Sequence, residues 1–275
     1  MSAVEHARVE RAAPAARQAL RVASYNIHKG VLGVGPAKRL RIHELREGLL
    51  QLGADLVFLQ EVQFEHRHHA QRFAQWPPQP QHELLGAALG MYTAYHTNAR
   101  TRHGEHGNAL LSRFPILGVA QYDVSDHRFE QRGLLHVRLQ PPGQPRPLHC
   151  IVVHFGLFAA SRLRQSARLV QFIAANIPAD DPVIVAGDFN DWRGVLGGEL
   201  AAVHLRDVSA RLVGEAHQPR WRHRVRTFPA LLPLVPLDRI YARGFSAHRV
   251  TLGWGSNWAR LSDHAPLLVD LTGQA

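Results

Sequence analysis

A carboxylate, an amide and an imidazole at the ends of buried strands can hold a hard cation and move a proton. This chain supplies such a set. Pro182 to Ala186 is a short apolar run that closes on Gly187-Asp188-Phe189-Asn190. On an extended backbone, residues two apart project to the same side, so Asp188 and Asn190 are expected to leave the strand together while Phe189 turns to the core. The plainer reading is a turn, with Asn190 capping a following helix. What favours chemistry is recurrence. Other apolar runs end at Asn26, at Glu61 and at His154, Asp238 opens another, and Asp263-His264 precede the last. Taken singly, Asn26 reads as a turn residue, Glu61 as a helix cap and His154 as a satisfied buried imidazole. Together they form a hard oxygen set with two imidazoles, suited to Mg²⁺ or Mn²⁺. Without cysteine partners, the histidines do not suit structural zinc. A Gly-x-x-x-x-Gly-Lys loop is absent, which argues against nucleotide-driven phosphoryl transfer.

The elements that must position these residues are legible from periodicity. Residues 21–25 form a strand, and Ile42, Leu45, Leu49 and Leu52 recur at helical spacing within a helix over about 38–52, which Gly53 closes. Residues 55–59 form a second buried strand, closed by Gln60-Glu61. Between 64 and 90 the pattern weakens. His66, His68 and His69 fall on a polar, helix-like segment that favours a solvated face over a metal site, and Trp76 to Pro80 breaks any helix. Strands are expected over 91–97, 108–112, 116–124, 133–139 and 148–153, the last ending in His154. A helix over about 160–177 buries Leu163, Val170, Ile173 and Ile177 on one face. After the central strand, 194–236 is irregular and carries a basic, aromatic run from Arg220 to Arg226. Strands over 237–242, 246–253 and 265–271 complete the chain.

The 275 residues are 45% hydrophobic, with five tryptophans and eleven phenylalanines, enough for a packed core. The formal charge of +10 suits an anionic partner, nucleic acid, phospholipid or phosphorylated metabolite. Lys29 and Lys38 are the only lysines, so the positive charge is mainly scattered arginine, which weakens that inference. Cys150 is the single cysteine and sits in an apolar run, which reads as a buried side chain. No stretch has the ~20 apolar residues of a membrane span. Residues 1–20 lack the apolar core of a secretory signal and read as a mobile tail ahead of one catalytic domain over 21–275, on a cytoplasmic, monomeric protein.

At the level of motifs the chain resembles the endonuclease/exonuclease/phosphatase superfamily of metal-dependent phosphoesterases. The matching segments run in family order: Ser-Tyr-Asn at 24–26, Leu-Gln-Glu at 59–61, Gly-Asn-Ala-Leu-Leu-Ser-Arg at 107–113, Val-Val-His at 152–154, Gly-Asp-Phe-Asn at 187–190, Leu-Asp-Arg-Ile at 237–240 and Ser-Asp-His at 262–264. It is most similar to a branch of small bacterial proteins with Asn-x-His-Lys-Gly and Gly-Asp-Phe-Asn-Asp-Trp. The resemblance implies a four-layer α/β/β/α sandwich of two mixed β-sheets flanked by helices. It implies Glu61 as principal metal ligand with Asn26 and Asp263, and Asp188 as the group that positions and deprotonates the attacking water, with Asn190 beside it. It further implies His264 as a donor to a phosphate oxygen, Asp238 as the group fixing its tautomer, and His154 as a second donor. His28 stands where some family nucleases carry Asp, and with Lys29 it adds cationic character. Both read either as substrate-phosphate contacts or as loop residues. Asn108 and Arg113 match the family as substrate contacts or as structural residues.

Three functions compete. One is hydrolysis of a small or lipid-linked phosphate ester. The second is a nuclease that uses the arginine-rich surface, and the third is a non-catalytic polyanion-binding module. The complete catalytic set disfavours the third. The 220–226 run suits nucleic acid, an anionic surface or a solvated loop, while His154 leans toward the phosphatase and lipid branches.

Overall fold

The computed structural model describes residues 19–127, 130–210 and 224–274. The strands are β1 (Leu20–Asn26), β2 (Val31–Leu32), β3 (Arg39–Leu40), β4 (Leu56–His66), β5 (Tyr92–Thr101), β6 (Gly104–Ser112), β7 (Ile116–Asp123), β8 (Gly133–Leu139), β9 (Leu148–His154), β10 (Val183–Asp188), β11 (Arg206–Asp207), β12 (Asp238–Arg243), β13 (Phe245–Leu252) and β14 (Leu267–Gly273). The helices are α1 (Ile42–Leu52), α2 (Arg67–Arg72), α3 (Gln81–Leu89), α4 (Ala159–Asn176), α5 (Gly197–Leu200) and α6 (Ser256–Ala259).

Two six-stranded mixed sheets carry the molecule, in the orders β13-β14-β1-β4-β6-β5 and β11-β12-β10-β9-β8-β7. Strand alternation explains why the central strands read as unbroken apolar runs. In β4, Leu56 and Phe58 face the other sheet while Val57 and Leu59 face the helices. In β10, Ile184 and Ala186 face the first sheet while Val183 and Val185 pack beneath α4. Both sides of each sheet are therefore buried, which gives one core between the sheets and one under each helical layer. This is the four-layer sandwich expected from the sequence.

Each sheet contains one parallel pair built by a strand-helix-strand crossover: β1-α1-β4 in the first and β9-α4-β10 in the second. α1 ends where Gly53 takes the left-handed conformation (φ 57) that a β-carbon disfavours. Parallel register then sets strand ends beside one another. Asn26 lies opposite Gln60, Asp188 opposite His154, and Asp188 also opposite Asp238 of antiparallel β12. Gly187 lets β10 lie against β9, since any β-carbon there would collide with the Val153 carbonyl oxygen.

Several expectations need correction. β4 does not stop at Glu61 but runs to His66 through a bulge between Leu59 and Val62. The weak segment 64–90 holds two helices, α2 and α3, too short to show a clear period. In it His69 is buried against His66, whose imidazole Nδ1 accepts from the His69 N–H at 3.1 Å, so this cluster is only partly a solvated face. α4 buries Ile173 and Ile177 and packs Val170 against the core as expected, but Leu163 is exposed. Arg162 and Gln165 are buried and serve the loop after β9. Of the proposed tail, residues 1–18 lie outside the described residues, and Leu20 already pairs with Leu271 in β1. Cys150 is buried as expected. Among the described residues no helix is long and apolar enough to cross a membrane.

Candidate active site

The two parallel pairs bring their carboxyl ends to one cavity of about 660 Å³, lined by Asn26, Lys29, Glu61, His154, Asp188, Asn190, Asp263 and His264, among others. From the first sheet come Asn26, at the end of β1, and Glu61, at the β4 bulge. Glu61 adopts φ 54, and His28, Lys29 and Asn190 are also left-handed. Among the described residues, four of the five non-glycine positions with positive φ thus belong to this site, a strain that surrounding contacts must hold.

On the first-sheet side, Lys29 Nζ sits 2.6 Å from Glu61 Oε2, and His28 Nδ1 lies 3.1 Å from Asp263 Oδ2. Burial would raise the Glu61 pKa, but Lys29, His154 and His28 outweigh it and hold the carboxyl well below the usual range. Burial opposes the same effect at Asp263, where the His28 hydrogen bond wins and the pKa falls. Both groups are therefore anions, Glu61 beside an ammonium and Asp263 beside an imidazole. Asn26 Oδ1 accepts from the His28 N–H at 3.0 Å, and its Nδ2 lies 3.4 Å from Glu61 Oε1. Ser262 Oγ donates to the Asn26 carbonyl at 2.7 Å and so locks the Asp263 loop onto β1.

The second-sheet side converges on one atom. Asp188 Oδ2 lies 3.3 Å from Asn26 Nδ2, 3.6 Å from His154 Nε2 and 3.6 Å from His264 Nε2. Asp188 Oδ1 accepts the Asn190 backbone N–H at 3.0 Å. Asn190 lines the cavity, but it turns left-handed rather than extending the strand, and its Nδ2 donates to the Phe155 carbonyl at 2.9 Å. The capping role falls instead to Asp191, whose carboxylate takes the N–H groups of Gly194, Val195 and Leu196 ahead of α5. Asp238 Oδ2 accepts from His264 Nδ1 at 2.8 Å and from the Thr227 hydroxyl, which fixes the ring. Burial alone would lower the His264 pKa, but Asp238 and Asp188 reverse this and raise it to about 10. His154 has no such anchor, and burial with the nearby Arg132 takes it down to about 4. Burial raises the Asp188 pKa against the pull of both imidazoles. The cavity thus holds one charged and one neutral imidazole on the same carboxylate.

Two groups could hold a metal. Asp188, Asp238 and His264 offer ligand atoms within 4.8 Å of one another. Asp238 Oδ2 already serves His264 and Thr227, while its Oδ1 is buried without a partner among the described residues. Glu61, Asp263 and Asn26 are hard oxygen donors on the open side, with Lys29 and His28 balancing the carboxylates. The donor chemistry of this second set fits Mg²⁺ or Mn²⁺.

Two expected substrate contacts lie elsewhere. Asn108 is wholly buried and bridges the sheets, donating to the Gly133 and Val152 carbonyls at 3.0 and 3.3 Å. Arg113 is an exposed partner of Asp55 at the far end of β6. Of the 220–226 run, residues 220–223 lie outside the described residues. Arg224 is not a free rim cation, since it donates to the Arg193 and Gly194 carbonyls at 2.8 and 3.1 Å. Lining residues that were not anticipated include His106, Arg132, Leu157, Phe228 and Val235. Arg132 directly precedes β8, which pairs with the strand ending in His154, so strand pairing was the signal that could have found it.

Comparison with known proteins agrees with this geometry. Residues 23–264 match the profile of the Endonuclease/Exonuclease/phosphatase family. The chain is 38% identical over 252 residues to an Escherichia coli K12 protein described as uncharacterized protein YbhP, covering 91% of this chain and 95% of that one. In structure it is similar to an endonuclease/exonuclease/phosphatase protein from Bacteroides vulgatus (TM-score 0.70, 16% identity, 94% and 100% of the two chains). It is also similar to D. rerio TDP2 complexed with a single-strand DNA product (TM-score 0.63, 21% identity, 92% and 99%).

Proposed function

Because the chain belongs to the endonuclease/exonuclease/phosphatase family, we propose that it hydrolyses phosphate esters with a divalent cation, Mg²⁺ or Mn²⁺, and water as the nucleophile. The observation that carries this reading is the convergence of Asn26, His154 and His264 on Asp188 Oδ2 across a cavity from Glu61. Asp188, buried and held by the Asn190 N–H, orients the attacking water and accepts its proton. His264, with Nδ1 fixed by Asp238, directs Nε2 into the cavity as donor to a phosphoryl oxygen as charge develops there. His154 is the second donor, and Asn26 holds the carboxylate between the two sheets. Glu61, Asp263 and Asn26 would hold the cation, which when bound neutralises charge on the phosphate and leaving oxygens. Lys29 and His28 stand at the same place, ready to meet a substrate phosphate.

The test is a panel of phosphodiesters and phosphomonoesters, including single- and double-stranded oligonucleotides, assayed with added Mg²⁺ or Mn²⁺ and with excess chelator. Ester hydrolysis that requires the cation is expected. Full turnover in chelator, by protein free of metal on elemental analysis, overturns the reading. Nuclease activity is the second reading, supported by the exposed Arg193 and Arg226 flanking the cavity loops.

A further inference from the structure

The large apolar side chains that this protein leaves in water are not evenly spread. Among the described residues the six most exposed are Val34, Leu231, Trp254, Phe158, Leu157 and Leu232, from 86% for Val34 to 60% for Leu232. All six lie in loops at the end of the sheets where the cavity opens. Val34 is in the turn between β2 and β3, just beyond Lys29. Leu157 lines the cavity and Phe158 follows it. Leu231 and Leu232 lie in the loop between Phe228 and Val235, both cavity-lining. Trp254 is on the connection from β13 toward Asp263. Away from this face, no large apolar side chain among the described residues exceeds the 53% of Tyr92. Apolar exposure gathered at one end of the molecule in this way points to an interaction surface.

The 228–235 loop is the sharpest case. Residues 229–236 read Pro-Ala-Leu-Leu-Pro-Leu-Val-Pro, eight positions without a polar side chain. The loop is held by backbone bonds from Leu232 to Pro229 at 3.1 Å, and from Leu234 and Val235 to Phe228 at 2.9 and 2.8 Å. These bonds keep the leucines outward. Exposed Arg193 and Arg226 belong to the same set of loops and Arg39 opens β3 beside the Val34 turn; none forms an ion pair among the described residues.

We propose that this face docks onto an anionic phospholipid bilayer, with the apolar tips inserted and the arginines at the phosphates, and that the substrate is a phosphate ester on a lipid headgroup. This rests on the hydrolase reading above. Aliphatic tips beside cationic groups match the depth profile of a bilayer interface. Four of the six tips are aliphatic and give no platform on which a base could stack; only Phe158 and Trp254 offer a ring, so the face as a whole suits a bilayer better than nucleic acid. A protein seated on the ring of tips would block the mouth it surrounds, whereas a bilayer seals the rim and delivers a headgroup into it. The cavity wall on that side is apolar too, formed by Leu157, Trp192, Phe228, Val235 and Leu237.

The test is flotation of the full chain with phosphatidylcholine vesicles, with and without phosphatidylglycerol, alongside hydrolysis of bis(p-nitrophenyl) phosphate with Mn²⁺. The wild-type protein is expected to float with the anionic vesicles, less so at high salt. Leu231→Ser/Leu232→Ser should lower that partition by about tenfold or more while soluble-diester turnover is unchanged. Phe158→Ser, in a separate loop, should act in the same direction. Soluble-diester hydrolysis without vesicle binding overturns the docking proposal and leaves the hydrolase reading intact. Vesicle binding by a protein that cleaves no ester overturns the lipid-substrate assignment together with that reading. Variants that bind vesicles as well as wild type overturn the docking surface. Oligonucleotide binding that depends on Leu231 and Leu232, without vesicle binding, overturns it in favour of nucleic acid.

Discussion

The two sheets deliver their site residues by the same device and hold them in opposite environments. In both, a parallel pair joined by a crossover helix ends in polar residues at one level. On the first sheet's side of the cavity the carboxylates stay partly open: the Glu61 side chain is 16% exposed and Asp263 33%, facing Lys29 and His28 respectively. On the second sheet's side, Asp188 is 3% exposed and Asp238 is closed off, and both face imidazoles. An open anionic pair can exchange one cation for another, from ammonium or imidazole to a metal. A dry carboxylate between two imidazoles cannot do so cheaply, because an uncompensated buried charge is costly, but it can hold and pass a proton. Burial thus divides one cavity into a cation half and a proton half.

That division breaks if the halves do not separate kinetically. The largest effect is expected at Asp188. Asp188→Asn should cut kcat by about 10²–10⁴, as loss of a general base does, and raising Mn²⁺ should not recover it. Glu61→Gln should instead raise the Mn²⁺ concentration needed for half-maximal rate, with kcat partly restored at saturating metal. Titrating Mn²⁺ against rate for both variants decides the matter. Equal recovery of both by metal would mean that Asp188 is a ligand and that the halves are one.

A second effect, comparable at His264 and smaller at Asp238, sharpens the proton half. His264→Ala should lower kcat by about 10²–10⁴ and Asp238→Asn by less, with folding retained in both. The sign for Asp238→Asn follows from the charges. Asp238 favours the imidazolium that donates, so its neutralisation lowers the His264 pKa and moves the basic limb of the pH–rate profile to lower pH. A folded His264→Ala protein of near-normal kcat, or an Asp238→Asn profile superimposable on wild type, would remove the proton role.

Much of this site was readable before the structure because strand ends are marked by abrupt changes from apolar to polar residues. Asn26, Glu61, His154, Asp188, Asn190, Asp263 and His264 were all placed that way and line the cavity, whereas Asp238, which stands behind His264, was reached through the family resemblance. Periodicity could not show what depends on pairing across the chain. Thr227 secures Asp238 from eleven residues away, and Ser262 ties to Asn26 from the other end of the sequence. Nor could it foresee the bulge at Glu61, where a left-handed residue lets β4 continue past the site. Asn108 misled for a related reason. A buried amide that joins two sheets has the same residue type as one that binds a phosphate, and only its burial distinguishes them.

The smallest expected effect concerns stability, and it tests whether the second sheet is dry well beyond the cavity. Behind its helix-facing side, His136 Nε2 lies 2.9 Å from His149 Nδ1, and His149 Nε2 lies 3.3 Å from Asp181. One shared proton satisfies the imidazole pair, whereas two would set donors against each other. Burial, and then the neighbouring His149, take the His136 pKa down from 6.5 to about 4. Burial also lowers His149, despite its bond to Asp181. Unfolded histidines bind protons below about pH 6.5, whereas folded His136 resists protonation until about pH 4 and His149 is shifted in the same direction. The unfolded state therefore binds more protons across that window, and stability falls as the pH does. The contribution is complete above about pH 6.5 and is lost as pH drops toward 4. Thermal melts between pH 7 and 4 should show Tm falling through this range, and His136→Gln should flatten the fall. Amide exchange in β8 and β9 should rise on acidification before that in β1 and the first half of β4, which carry no histidine. A Tm independent of pH from 7 to 4.5 would mean that water reaches the pair, and the contrast between the sheets would then be confined to the cavity floor.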